Sequence, residues 1–181
     1  MEVETASPKM KTGLGQRDFL YLAIYLIVLV VLSVCIHEAV HIIVALFKGI
    51  EFSQLEIGFW GINPSVTLPQ GLDDNVKTPI FYAGGITAGI LLLCFYFIFW
   101  FRKYRRNPSR LSWALALTTI VLDAEQVSTG YLEGHYHAAY LYGATTLFSP
   151  THLFTIAWMV IAVLLHLQLY PRERLKIVLH D

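Results

Sequence analysis

The chain has 181 residues, of which 56% are hydrophobic and 14% are charged, and its 13 basic residues balance its 13 acidic residues. Such an apolar composition excludes an ordinary soluble domain and predicts an integral membrane protein. The formal net charge of zero excludes a general attraction to nucleic acid, and the length suits a single domain.

Four apolar runs are each long enough to form a membrane-spanning helix, which needs roughly 20 residues. A polar N-terminal tail, residues 1–17, precedes them, and a short basic C-terminal tail, residues 171–181, follows them. The membrane domain is therefore expected to cover residues 18–170. The expected spans are 18–47, 78–101, 111 to about 131, and 151–170. The fold class predicted from these runs is an all-α integral membrane protein with four transmembrane helices.

The first apolar run contains His37-Glu38-Ala39-Val40-His41, an H-E-x-x-H motif. Residues four apart share one face of a helix, so both imidazoles can bind a single metal ion. Glu38 lies at the edge of the same turn, where it can take a proton from the attacking water. Ionisable groups inside an apolar span are costly, which favours a functional site. The alternative is a cluster of hydrogen-bonded polar groups that only packs the helices together.

The segment of residues 51–70 is a poor helix former, because it carries two glycines and two prolines. Leu55, Ile57 and Phe59 alternate with polar or small residues, as in a half-buried strand. Residues 61–64, Gly-Ile-Asn-Pro, have turn chemistry. We therefore predict a small β-hairpin or re-entrant loop at the membrane edge between the first two helices. A plain connecting loop is the alternative.

The second helix begins with small residues that include Gly84 and Gly85. Small residues at this spacing let helix backbones approach closely. They are expected on the same side of the membrane as His37, so they could also hold the second helix against a metal site.

A catalytic zinc ion needs three protein ligands and one open coordination position. Asp123 is the expected third ligand, because a carboxylate in an apolar helix is otherwise unexplained unless it is paired. At about 1.5 Å per residue, Asp123 lies roughly 18 Å from the start of its helix and His37 roughly 27 Å from the start of the first. Both helices start on the same side, so the two residues fall in the same half of the bilayer.

Other residues near Asp123 are rival ligands. Glu125 points to a different face of the helix. Glu133, His135 and His137 are expected to lie beyond the end of the third helix, where an aromatic-rich surface loop is the simpler interpretation.

Together these elements resemble the site-2 protease family of intramembrane zinc metallopeptidases. That family carries H-E-x-x-H on one core helix, Gly-Pro-x-x-Asn on the next and Leu-Asp-Gly on the third. Residues 37–41 match the first element fully, residues 84–88 match the second in its first glycine, and residues 122–124 match two positions of the third. The resemblance covers roughly residues 31–130. The segment 51–70 resembles the family's membrane-edge hairpin, which pairs with the substrate strand.

The resemblance implies a zinc metallopeptidase that hydrolyses peptide bonds of membrane-embedded or membrane-edge segments. It implies that Zn²⁺ is bound by His37, His41 and Asp123, and that Glu38 is the catalytic general base. The partners implied are a transmembrane protein substrate and the lipid bilayer, without nucleic acid.

The same resemblance places substrate against Gly84, Gly85 and Phe59. Two positions depart from the family: Ala88 stands in place of its Asn, and Ala124 stands in place of the Gly beside the third ligand. The alternative function is therefore a non-proteolytic, metal-binding accessory subunit of a larger membrane complex. A metal transporter is a third candidate, but a single polar cluster gives it no continuous polar path.

The distribution of basic residues predicts the orientation of the helices in the membrane, here expected to be the cell membrane. Eleven basic residues lie before the first helix, between the second and third, or after the fourth, whereas only Lys48 and Lys77 lie on the other side. We expect a reporter fused to either terminus to be cytoplasmic, and one inserted near Asp73 to be extracytoplasmic. An extracytoplasmic signal from either terminus would contradict this orientation.

Overall fold

The computed structural model of the protein describes residues 15–60, 63–103, 109–137 and 149–169. Within these ranges it has four α-helices: α1 Gln16–Phe47, α2 Asp74–Phe95, α3 Arg110–Tyr136 and α4 Pro150–Leu169. A π-helical stretch, Tyr96–Phe101, extends α2. Two antiparallel strands, β1 Glu56–Trp60 and β2 Asn63–Thr67, connect α1 to α2. The predicted helical fold with a hairpin is therefore confirmed, whereas residues 1–14 and 171–181 of the predicted tails lie outside the described residues.

Three of the described helices are long and apolar enough to cross a membrane: α1, α2 with its π-helical extension, and α4. α3 has sufficient length, at 27 residues, but is more polar. It lies at the centre of the bundle and packs against α1, α2 and α4. Its buried polar residues are Ser112, Thr119, Asp123, Gln126 and Ser128. Because its neighbours enclose it, α3 does not need the apolar surface that the other three helices expose.

α1 ends at its predicted residue because Gly49 reverses the chain with a φ of 85°. The N–H of Ile50 donates to the carbonyl of Ala45 (3.1 Å), and the N–H of Gly49 donates to the carbonyl of Leu46 (3.0 Å). This is the hydrogen-bond pattern of a Schellman motif, in which a glycine accepts the left-handed conformation without steric cost. Ile50 then packs in one cluster with Ala45, so the hairpin starts close to the end of α1.

Two helix boundaries differ from the prediction. α2 begins at Asp74, one turn earlier than expected, because Asp73 accepts hydrogen bonds from the first turn through its backbone carbonyl. α3 continues to Tyr136, past the end expected near residue 131. Gly130 and Gly134 do not end this helix, because both are packing positions. A Cβ on Gly134, for example, would overlap the ring of Tyr82 on α2.

α2 and α3 pack backbone against backbone at Gly85 and Gly130. A Cβ on Gly85 would overlap the carbonyl oxygen of Gln126 and the backbone nitrogen of Gly130, and would lie 2.6 Å from the Gly130 Cα. A Cβ on Gly130 would lie 2.8 Å from the Gly85 Cα. Backbone atoms cannot move aside as a flexible side chain can, so both positions require glycine.

We therefore expect Gly85→Ala to lower the free energy of unfolding by about 1–3 kcal/mol, because α2 must move away from α3. The measurement is reversible unfolding of the purified protein in detergent or bicelles. Gly58→Ala is the matched control, since a Cβ there meets nothing within 4 Å, and its effect should stay within about 0.5 kcal/mol. If the two variants were equally stable, the close packing of α2 and α3 would be wrong.

Candidate metal centre

Three side chains from α1 and α3 converge inside the bundle. The ligand atoms of His37, His41 and Glu133 all lie within 4.8 Å of one another. Glu133 Oε2 is 2.9 Å from His37 Nε2 and 3.6 Å from His41 Nε2. Both histidines are 6% exposed, and the side chain of Glu133 is 22% exposed. This cluster could hold a metal ion.

The spacing along α1 explains why the two histidines face the same way. The buried residues of α1 recur at every fourth position, and His37 and His41 are two of them. Their rings meet edge to face, with centroids 4.7 Å apart. The prediction that the H-E-x-x-H motif lies on a helix with both imidazoles on one side is therefore confirmed.

The second ring nitrogen of each histidine is hydrogen-bonded to an oxygen atom. His41 Nδ1 lies 2.7 Å from the carbonyl oxygen of Ile80, and His37 Nδ1 lies 3.1 Å from Gln126 Oε1. An oxygen of this kind only accepts, so each histidine donates from Nδ1–H. His37 Nε2 also donates to the carboxylate of Glu133, and a metal ion bound there would take the place of that proton. Metal-binding histidines characteristically make such a bond through the nitrogen that does not bind the metal. Both Nε2 atoms face Glu133.

Gly84 on α2 lies directly against the two imidazoles. A Cβ there would lie 2.5 Å from His41 Nε2 and 2.7 Å from His37 Cδ2. The missing side chain therefore lets α2 approach the two imidazoles closely, as the small residues of α2 predicted. Two imidazole nitrogens and one glutamate oxygen form a donor set that catalytic zinc sites use. The residues present thus fit a Zn²⁺ ion.

The residues that the structure brings together differ from the expected set, because Glu133 and not Asp123 joins the two histidines. Asp123 is buried, with 8% exposure, at the interface of α2 and α3 beside Gly89. Its Oδ1 has no hydrogen-bond partner among the described residues. Glu133 was expected beyond the third helix because that helix was predicted to end near residue 131. The extra turn of α3 carries Glu133 to the level of His37.

The sequence contains a pattern that places Glu133 on a polar face of the third helix. Gln126, Gly130 and Glu133 recur at i, i+4 and i+7, which places them on one face of a helix that continues through both glycines. The rival ligands His135 and His137 make other contacts. The ring of His135 stacks on Tyr131, and His137 Nε2 lies 3.0 Å from the hydroxyl of Thr78.

Glu38, the expected general base, lies half-buried beside the cluster and is not one of its ligands. Its carboxylate is close enough to interact electrostatically with His37, His41 and Glu133, and the backbone N–H of Val66 faces it. A carboxylate that is near a metal site but does not bind the metal is available for proton transfer.

The register of the hairpin explains why Val66 presents its N–H to α1. Pro64 lies opposite Phe59 and has no N–H, so this pair cannot exchange two hydrogen bonds. The pair Ile57 and Val66 lies two residues along the ladder, so it belongs to the same class of pair and also exchanges no hydrogen bonds. The N–H of Val66 therefore points away from β1. β2 is the strand that packs on α1, so this outer edge faces the candidate site.

The other two residues expected to contact substrate lie apart from the histidines. Gly85 faces the backbone of α3, as described above. Phe59 lies on β1 with its side chain largely exposed, at 77%. Their contact with a substrate remains a prediction.

The chain matches no protein-family model, and comparisons with curated proteins and with solved structures find no significant match. The chemistry of the site is therefore inferred from its own atoms.

The two candidates for the third ligand can be separated by metal binding. We expect Glu133→Ala to lower the Zn²⁺ affinity by more than about 100-fold, because it removes one of three ligands. Asp123→Asn, the matched control, should leave the affinity unchanged because Asp123 lies outside the cluster. The measurement is metal titration of the chelator-treated protein. The opposite ranking would restore Asp123 as the ligand.

Proposed function

We propose that the protein is an intramembrane zinc metallopeptidase that hydrolyses peptide bonds of membrane-embedded or membrane-edge segments. The observation that carries this proposal is the convergence of His37 Nε2, His41 Nε2 and Glu133 Oε2, with Glu38 beside them. An H-E-x-x-H helix with a carboxylate ligand and an adjacent free glutamate is the arrangement of a zinc peptidase. The sequence resemblance to the site-2 protease family supports the same class, with Glu133 in the role expected of Asp123.

A zinc ion held by His37, His41 and Glu133 would polarise the scissile carbonyl and make the attacking water more acidic. Glu38 takes the proton from that water and returns it to the leaving amine. Its place in the chain, one residue after His37, keeps its carboxylate off the ligand positions and close to them. The buried histidines hold the site inside the bundle, where fixed charges act more strongly than in water.

The hairpin gives a helical substrate a way to expose its scissile carbonyl. A helix in a membrane keeps its backbone hydrogen bonds internal, so it must be unwound locally before cleavage. A substrate strand paired with the hairpin would regain backbone hydrogen bonds there. Because β2 packs on α1 beside Glu38, a strand paired with the hairpin would lie near the general base.

The proposed enzyme is embedded in the lipid bilayer with both termini in the cytoplasm, and its substrates are transmembrane proteins. The charge distribution then puts His37 and His41, near the far end of α1, in the extracytoplasmic half of the membrane. The enclosed position of α3 supports insertion of all four helices, because α1, α2 and α4 cover its polar side chains.

One observation favours the second candidate, a non-proteolytic metal-binding accessory subunit. Ala88 stands where the resembling family has an Asn that helps hold substrate or oxyanion, and it is 1% exposed. A buried Ala fills space between helices and offers no polar atom to a substrate.

The two candidates differ in how they depend on Glu38. We expect Glu38→Gln to reduce cleavage of co-reconstituted membrane segments by about 10²- to 10⁴-fold, because Gln keeps the shape but cannot take a proton. The zinc content and the fold should be unchanged in this variant. His41→Ala is the comparison, since it should lose both zinc and cleavage. Equal cleavage by wild type and Glu38→Gln, or none by either across a broad substrate panel, would favour the accessory subunit.

A further inference from the structure

Gln126 connects a metal-binding histidine to a carboxylate that lies outside the metal cluster. Its Oε1 is 3.1 Å from His37 Nδ1, and its Nε2 donates to Glu125 Oε2 over 2.8 Å. The other oxygen of Glu125 accepts a hydrogen bond from the hydroxyl of Thr129, at 3.2 Å. The chain of contacts therefore runs from His37 through Gln126 to Glu125 and Thr129.

The two histidines differ in how strictly their hydrogen-bond partners fix which ring nitrogen carries the proton. His41 donates to a backbone carbonyl of α2, which cannot reverse its role. His37 faces a side-chain amide, which could turn over and offer its NH₂ group in place of its oxygen. If it did, the proton of a neutral His37 would move to Nε2, and no lone pair would face the metal. Something has to hold the amide of Gln126 in one orientation.

An ionised Glu125 supplies that constraint, because a carboxylate accepts hydrogen bonds and cannot donate them. The NH₂ group of Gln126 must then face Glu125, and its oxygen must face His37. Thr129 lies one turn after Glu125 on α3 and helps to hold the carboxylate in place. Gln126 is 4% exposed, so water has little access to replace either partner.

We propose that Glu125, acting through Gln126, sets the tautomer of His37 so that its unprotonated Nε2 faces the metal position. Both are positioning residues, because they act on the metal through His37 without binding it. The functional role of this tautomer control rests on the proposed function, but the tautomer of His37 can be measured without metal and without a cleavage assay.

The direct test is ¹⁵N NMR of histidine-labelled protein without metal, at about pH 9, where imidazoles are ordinarily neutral. The background is Glu133→Ala, which removes the carboxylate that competes for the His37 proton from the other side. His37→Ala in the same background assigns the signal. We expect the Nδ1–H tautomer for His37 in this background. Adding Gln126→Leu should give the Nε2–H tautomer that free imidazole prefers, whereas Gln126→Glu should preserve Nδ1–H.

Glu125→Gln is the decisive variant, because it keeps the shape of the side chain and does not touch His37. An amide at this position can donate, so Gln126 is released to turn over, and we expect a mixture of the two tautomers. Ser128→Ala is the control, since Ser128 donates to Thr155 and to the backbone carbonyl of Glu125, and contacts neither the Glu125 carboxylate nor the Gln126 amide in these bonds. A pure Nδ1–H signal in Glu125→Gln would overturn the proposal, as would Nε2–H in the Glu133→Ala background alone.

The second readout is Zn²⁺ titration with residue 133 intact. We expect Gln126→Leu to bind Zn²⁺ about 10- to 100-fold more weakly and Gln126→Glu to bind it nearly as well as wild type. Unchanged affinity in Gln126→Leu would contradict the proposal. If the wild type bound Zn²⁺ without cleaving any substrate, the proposed peptidase function would be contradicted. The tautomer measurement would still test this inference. If Gln126→Leu did not fold, the spectrum of Glu125→Gln would decide it.

Discussion

The contact of α2 with α3 at Gly85 and Gly130 is the constraint on which the candidate site depends. With no side chain between the two backbones, α2 comes close enough to α3 for Gly84 to lie against the histidines of α1. The same approach puts the Ile80 carbonyl within hydrogen-bond distance of His41. Glu133 lies on α3 within one turn of Gly130, so its distance from the histidines is set by this helix pair. A bulky residue at either glycine would separate the groups that form the cluster.

The cost of burying polar atoms in an apolar bundle determines how the helices are joined. Several buried polar side chains of the described residues find their partner on a different helix. The hydroxyl of Tyr25 on α1 lies 2.6 Å from that of Thr119 on α3, and Ser128 on α3 donates to Thr155 on α4 over 3.1 Å. Because apolar surroundings do not replace such bonds, each one favours a single arrangement of its helices. Hydrogen bonds between helices thus both orient the histidines and hold the bundle together.

The site-2 protease family and this structure have three features in common: two histidines one turn apart, an adjacent glutamate and a hairpin between the first two helices. They differ on the carboxylate, since the cluster contains Glu133, while Asp123 is buried and its Oδ1 has no partner in the part of the chain that the structure describes. A glutamate has one more methylene group than an aspartate, so it can reach the histidines from a later turn of the same helix.

The amino-acid sequence by itself determined the four helices of the described residues, the hairpin and the pairing of the two histidines on one helix face. These features depend on neighbours in the chain: apolar runs, turn residues, and the four-residue spacing that brings His37 and His41 to one face. The end of α3, the meeting of Glu133 with the histidines and the other partners of the histidines were decided only by the tertiary structure. His37 and Glu133 are 96 residues apart in the chain, and their meeting depends on how closely α2 allows α3 to approach. Local sequence patterns fix which face of a helix is polar, whereas packing between helices fixes which polar groups meet.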